Sequence, residues 1–341
     1  MTFDPNAAAR ADSGIFGLDS TPEDARVVLV PVPFEATVSY GGGASRGPAA
    51  ILEASRQVDL FDLETGRPYA QGIALLGESD EVRAWNEQAK VLAGPVIAAG
   101  GCGDDPALRE ACAKVNALGD KVNAWLEGQV SALLEKGKLV GVIGGDHSVP
   151  FASIAAHAKR YPGLGVLHVD AHADLRDAYE GFRWSHASIM WNVRELVPDV
   201  SRVIGVGFRD LSEEEHGILT TDPRFEAFHD PWLRRRLQEG TPWAEVTTEI
   251  VSRLPQHVYV SFDIDGLDPV LCPNTGTPVP GGLSFAEATA LFRAVVESGR
   301  QIVGFDLVEV APDPSGASEW DGNVAARLLY KLIGFALRSQ K

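Results

Sequence analysis

Short runs of branched apolar residues recur along the chain, separated by longer stretches in which apolar positions repeat with a helical period. "RVVLVPVP" (26–33), "LVGVIGG" (139–145), "LGVLHVD" (164–170), "RVIGVGF" (202–208), "HVYVSFD" (257–263) and "QIVGFDLVEV" (301–310) predict strands. Several are apolar at every position, the pattern of strands buried on both faces of a parallel sheet. Helices are predicted near 48–57, 107–136, 149–160, 284–298 and 322–338, with Ser284 and Glu287 spaced as a capping box. This alternation predicts an α/β chain of three layers, α/β/α, with a mainly parallel central sheet. A barrel would need more regular strand spacing. At 341 residues one domain spanning 1–341 is expected, with residues 1–26, ahead of the first strand, as an N-terminal extension.

Charge narrows the partners. Thirty basic against forty-seven acidic residues give a net charge of -17, which opposes binding to nucleic acid or an anionic membrane and favours cationic small molecules. No apolar run has the length of a membrane span and the start does not resemble a signal peptide, so a cytoplasmic location is expected. Cys102, Cys112 and Cys272 have neither metal-ligand spacing nor an even disulfide framework, which fits a reducing compartment. "YGGGASRG" (40–47) lacks the ending of a phosphate loop, and Pro48 reads as a helix opener. "NTGTPVPGG" (274–282) has too much Pro and Gly for a regular element and is a candidate rim to a site.

Polar residues gather where the predicted strands run out. His147 follows "VIGGD"; Asp170, His172 and Asp174 follow "LHV"; Asp263 and Asp265 follow "VYVSF". Ligand sites of open parallel sheets lie outside those strand ends. In an extended segment Asp170, His172 and Asp174 would share one face, and Asp263 and Asp265 would repeat the arrangement. So many carboxylates in an apolar setting call for cations. Oxygen donors with a few imidazoles and no thiolate suit Mn²⁺, ahead of Zn²⁺, Fe²⁺, Co²⁺ or Ni²⁺, and six ligands allow two ions. His157, His216, His229 and His257 lack such a setting and read as surface or helix-packing residues, whereas His168 reads either as a hydrogen-bond partner of a ligand or as core packing.

"GGDHS" (144–148), "DAHADLRD" (170–177), "SFDIDGLDP" (261–269) and "GFDLVEVAP" (304–312) resemble the four signature segments of the ureohydrolase family of arginases, agmatinases and related amidinohydrolases. The resemblance runs from about residue 27 to 338, and "SHAS" (185–188) with "PNTGTPVPGGLSF" (273–285) is most similar to agmatinases. It implies an arginase-like fold and two Mn²⁺ per subunit. One ion would be held by His147, Asp170, Asp174 and Asp263, the other by His172, Asp170, Asp263 and Asp265, with Asp170 and Asp263 bridging. It also implies His186 as proton shuttle, Glu309 as guanidinium clamp, and a homo-oligomer, trimer or hexamer.

Those residue types suit guanidinium hydrolysis. The carbon is a poor electrophile, so two cations acidify a shared water into a strong nucleophile, which Asp174 can aim. His186 can carry a proton to the departing amine, and Glu309 can orient the planar head. The reading is therefore a binuclear manganese amidinohydrolase converting agmatine to putrescine and urea. Departures from the family keep alternatives open. Ala311 replaces a common Asn, and Ser212 in "RDLSEEE" (209–215) replaces an Asp that helps arginases hold the amino acid head, although Glu213, Glu214 or Glu215 can compensate. Arg176 and Arg183 either favour a guanidino acid such as 4-guanidinobutanoate or pair with Asp177 and Glu180. Trp184, Met190 and Trp191 are bulky enough to narrow or redirect the pocket, although Met190 and Trp191 read first as core packing; if Trp191 filled the pocket, a catalytically inactive, metal-stabilised binding or scaffold protein would be favoured.

Overall fold

In the computed structural model, which describes residues 4–340, all six predicted runs form strands of one sheet. Residues 1–3 of the anticipated extension and residue 341 lie outside the described residues. The strands are β1 (Val27–Val32), β2 (Ile73–Leu75), β3 (Leu139–Gly144), β4 (Leu164–Val169), β5 (Val200–Val206), β6 (Phe225–Phe228), β7 (His257–Asp263) and β8 (Gln301–Val308). They lie in the order β2-β1-β3-β8-β7-β4-β5-β6, and every pairing is parallel. The two unpredicted strands, β2 and β6, are the edges, and at three and four residues they are too short to show a period.

The helices are α1 (Gly47–Ser55), α2 (Asp80–Ala98), α3 (Pro106–Glu135), α4 (Phe151–Arg160), α5 (Ile189–Leu196), α6 (Glu213–Thr221), α7 (Asp230–Gln238), α8 (Trp243–Ser252), α9 (Phe285–Glu297) and α10 (Trp320–Arg338). Five of them were predicted, and the Ser284 and Glu287 pair does close a capping box at the start of α9. Alternate strand residues explain the layers. Val27 and Leu29 belong to the core shared with α1 and α7 to α10, whereas Val28, Val30 and Val32 belong to the core shared with α2 to α4 on the opposite face. Farther along the sheet, Leu164 and Val166 meet α4, α5 and α6. Burial on both faces is therefore why the strands carry no polar alternation.

Two features aim the strand ends at one place. β3, β8, β7 and β4 are consecutive neighbours, so the segments that follow them emerge side by side. Gly145 then stitches three of the ends: its N–H donates to Val32 O at 2.8 Å and its carbonyl accepts from Glu309 N at 2.8 Å. A Cβ there would sit 1.8 Å from the Phe34 carbonyl oxygen, so this crossing requires glycine.

Candidate functional site

His147 comes from the turn after β3, and its ring is buried. Its Nδ1 lies 2.9 Å from Asp170 Oδ2, 3.1 Å from Asp174 Oδ2 and 3.3 Å from Asp263 Oδ2. A second group adjoins it: His172 Nδ1 is 3.1 Å from Asp265 Oδ2 and 3.5 Å from Asp170 Oδ1. The two oxygens of Asp170 thus face different imidazoles, the arrangement of a carboxylate shared between two cation positions. His147 Nδ1 is buried without a well-formed hydrogen bond, which is what a ligand atom awaiting a cation looks like. Oxygen-rich donors, two imidazoles and no thiolate fit a divalent transition metal. His168 also reaches the cluster, but its Nε2 hydrogen-bonds Asp170 Oδ2 at 2.8 Å and so holds the carboxylate from behind.

The residues expected from sequence to hold metal do come together, but the extended-segment geometry behind that expectation does not hold. β4 ends at Val169, and the chain bends immediately afterwards. Asp170 Oδ1 accepts the His172 N–H at 2.6 Å, and Asp174 adopts a left-handed backbone with φ 54°. That conformation costs on the order of 1 to 3 kcal/mol for a non-glycine residue and persists where surroundings enforce it. Here the Asp174 carbonyl accepts from Met190 N (3.0 Å) and Trp191 N (3.1 Å) at the start of α5. Asp263 and Asp265 likewise converge through a turn, with Asp263 Oδ1 capping the 3-10 turn Ile264–Gly266 through Asp265 N at 2.8 Å.

Crowding sets the protonation of the cluster in the absence of cations. Burial and the neighbouring Asp170 push the Asp174 carboxyl up to about 7. Burial with Asp265 and Asp170 raises Asp263 well above the usual carboxylate range. Burial disfavours charge on Asp170 as well, yet the adjoining His147 and His168 win and hold it well below that range. His172 is pushed up to about 12 because Asp265 and Asp170 outweigh burial. Protons thus partly stand in for the cations that so many carboxylates require.

The cluster forms one wall of a polar cavity of about 210 Å³, lined also by Arg176, Tyr179, His186, Asp210, Glu215 and Glu309. Glu309 has a left-handed backbone (φ 60°), and its Oε1 accepts the His147 N–H at 2.9 Å. Burial and nearby Asp146 raise its carboxyl well above the usual range. His186 is lowered to about 4 by burial and by the cationic His172 and His147, so its resting imidazole is neutral. Thr37, which sequence reasoning missed, faces it: Thr37 Oγ1 accepts from His186 N at 3.3 Å and lies 3.4 Å from Nδ1. Thr275, also missed, donates to the Glu309 carbonyl at 2.9 Å. Neither residue stands in a motif that marks it.

Other expectations resolve differently. Arg176 approaches Glu215 (3.6 Å) and lies over the Tyr179 ring, rather than pairing with Asp177. Glu215 is buried and accepts from Leu175 N at 3.0 Å, bracing the metal-facing segment, while Ser212 caps α6 in a capping box with Glu215. Arg183 stacks on Trp184. Trp184, Met190 and Trp191 are absent from the cavity lining: Trp184 donates to Asp120 at 2.8 Å, Met190 is in the core, and Trp191 stacks on Arg194. Met190 and Trp191 lie on α5, and Trp184 lies in the turn ahead of His186.

A parallel α/β/α sheet with a histidine and aspartate cluster in the crevice at its carboxyl edge defines a class of metal-binding α/β proteins. Residues 25–334 match the Arginase family, and the chain belongs to that family, the ureohydrolases, and is a hydrolase. It is 33% identical over 322 residues to the N(1)-aminopropylagmatine ureohydrolase of Thermus thermophilus, spanning 94% of each chain. It is 32% identical over 342 residues to the agmatinase of Bacillus subtilis, covering 98% of this chain and 99% of that one. Its fold superposes on proclavaminate amidino hydrolase of Streptomyces clavuligerus with a TM-score of 0.73 at 23% identity, over 98% of this chain and all of that one (100%). Among the described residues no helix is long and apolar enough to cross a membrane.

Proposed function

We propose that this chain is a two-metal amidinohydrolase that releases urea from agmatine, leaving putrescine. The observation that carries the reading is the small polar cavity that His147, His172, Asp174 and Asp263 line together with His186 and Glu309, a space a guanidinium head would fill. His147, Asp170, Asp174 and Asp263 would hold one cation, and His172, Asp170, Asp263 and Asp265 the other. The donor set favours Mn²⁺, with Ni²⁺ the next choice. When bound, two such cations make water a strong nucleophile near neutral pH.

The side chains supply the rest. Asp174 accepts a hydrogen bond from the attacking water and aims it. Glu309 pairs with the planar guanidinium by charge-assisted hydrogen bonds, and its raised pKa falls when that cation arrives. Neutral His186, oriented by Thr37, takes up a proton liberated during attack and returns it to the departing amine. Action as one domain with residues 1–26 as an extension, assembly as a trimer or hexamer, and a cytoplasmic location belong to the same proposal; light scattering reads the assembly.

A second reading, hydrolysis of a guanidino acid such as 4-guanidinobutanoate, is favoured by Arg176, whose half-exposed side chain lines the cavity and could meet a carboxylate tail. The relatives' names add N(1)-aminopropylagmatine as a longer cationic substrate. An inert scaffold is disfavoured because Trp191 stacks on Arg194 instead of filling the cavity. Urea release after Mn²⁺ loading, measured on agmatine, N(1)-aminopropylagmatine, arginine, guanidinobutanoate, guanidinopropanoate and guanidine, decides among them. Agmatine is expected to have the highest kcat/KM; a higher value for a guanidino acid replaces the first reading with the second.

A further inference from the structure

We propose that Ser261 and Asp306 are positioning residues that lock the tautomer of His147, so that its Nδ1 lone pair faces the cation position it shares with Asp170, Asp174 and Asp263. The two residues are register partners across β7 and β8, and both are fully buried. Ser261 Oγ donates to Asp306 Oδ1 at 3.1 Å, and Asp306 Oδ1 is fixed in turn by the Phe262 N–H at 3.1 Å. A hydroxyl has one proton to give, so toward His147 Nε2, 3.0 Å away, Ser261 acts as the acceptor. Nε2 therefore keeps its hydrogen, and Nδ1 is the nitrogen that would offer a lone pair once a cation takes the place of the proton held there by the carboxylates.

Neither residue lines the cavity, so neither touches substrate. A carboxylate in the middle of a buried strand costs free energy unless it is used, and here it is the anchor of a chain from β8 through β7 to the metal-facing ring. The second cation position, built on His172 and Asp265, has no link to Ser261 or Asp306 among the hydrogen bonds of the described residues. Loss of the relay should therefore weaken one position and spare the other.

This inference rests on the two-metal reading, and Mn²⁺ titration of the metal-free full-length protein separates the two. Calorimetry counts and ranks the sites, and electron paramagnetic resonance distinguishes a single ion from a coupled pair. The wild type should bind two ions. Ser261→Ala should weaken one of them by about 10- to 100-fold, the usual effect of removing a ligand's hydrogen-bond partner, with the coupled-pair signal appearing only at higher Mn²⁺. Ser55→Ala removes another buried hydroxyl, one that accepts the Phe16 N–H at 2.9 Å in α1, and should leave both sites intact. Asp306→Asn keeps an acceptor for Ser261 and should weaken the same site by less; it takes the place of Ser261→Ala if that variant does not fold. Two undiminished sites in the folded variant, or equal weakening in Ser55→Ala, overturn the relay. A wild type that binds no Mn²⁺ overturns the two-metal reading instead.

Discussion

His147 and His157 are both buried, yet they occupy opposite electrostatic settings. His157, on α4, donates Nδ1–H to the Ser153 carbonyl at 2.8 Å and packs edge-on against Tyr259, and a Cβ on Gly304 would collide with its Nε2. With no carboxylate beside it, burial lowers it to about 4. His147 suffers the same burial, but three carboxylates pull it well above its usual value. Burial alone thus does not make a histidine functional; the charge gathered around it decides between a packing residue and a ligand. Strand-end position is what gathers that charge, because four adjacent strands deliver their carboxylates to one crevice while α4 offers His157 only the sheet's interior.

The largest expected effect falls on the residue that joins the two cation positions. Asp170→Asn should lose bound metal and reduce urea release on the order of 10³-fold, since several kcal/mol of transition-state stabilisation depend on the cations; metal analysis and a urea assay on one sample read both. His186→Ala should keep its metal while kcat falls about 10²- to 10⁴-fold. Comparable metal loss in that variant would place His186 among the ligands rather than opposite them. Glu309→Gln should cost about 10- to 100-fold in kcat/KM, the worth of a charge-assisted hydrogen bond, with metal content preserved.

On the other side of the comparison, His157 should govern stability at acid pH and leave catalysis alone. The unfolded chain takes a proton near 6.5 that the folded chain refuses until about 4. Stability is therefore complete above about 6.5 and falls as pH drops toward 4, by about 3 kcal/mol in all. In His157→Gln that part of the slope should vanish from denaturant unfolding measured across the window, and an unchanged slope would assign the acid sensitivity to the metal-facing cluster. The smallest effect is expected from Trp191→Ala, whose KM for the guanidino substrate should stay at the wild-type value because the indole stacks on Arg194 outside the cavity.

The central strands were legible because apolar residues run without a polar break where both faces are covered, as in "VVLV" and "LGVL". The edge strands were not: "FEAF" of β6 has only its two ends buried and is too short to show a pattern. The helix at Ile189–Leu196 was not among those predicted, although its first amides are what pin Asp174. In the site, the clustered histidines and aspartates announced themselves by charge, but the geometry joining them did not. Asp170, His172 and Asp174 meet through a bend and a left-handed backbone rather than along one face of a strand. Thr37, Ser261 and Asp306 act through tertiary hydrogen bonds between separate elements, which no local spacing encodes.

The most direct test of a shared two-cation centre is a count of Mn²⁺ per chain made alongside urea release from agmatine as metal is restored to the stripped protein. Two ions per chain, with turnover rising as the second position fills and both ions lost in Asp170→Asn, are predicted. Full turnover with one ion or none per chain would contradict the account.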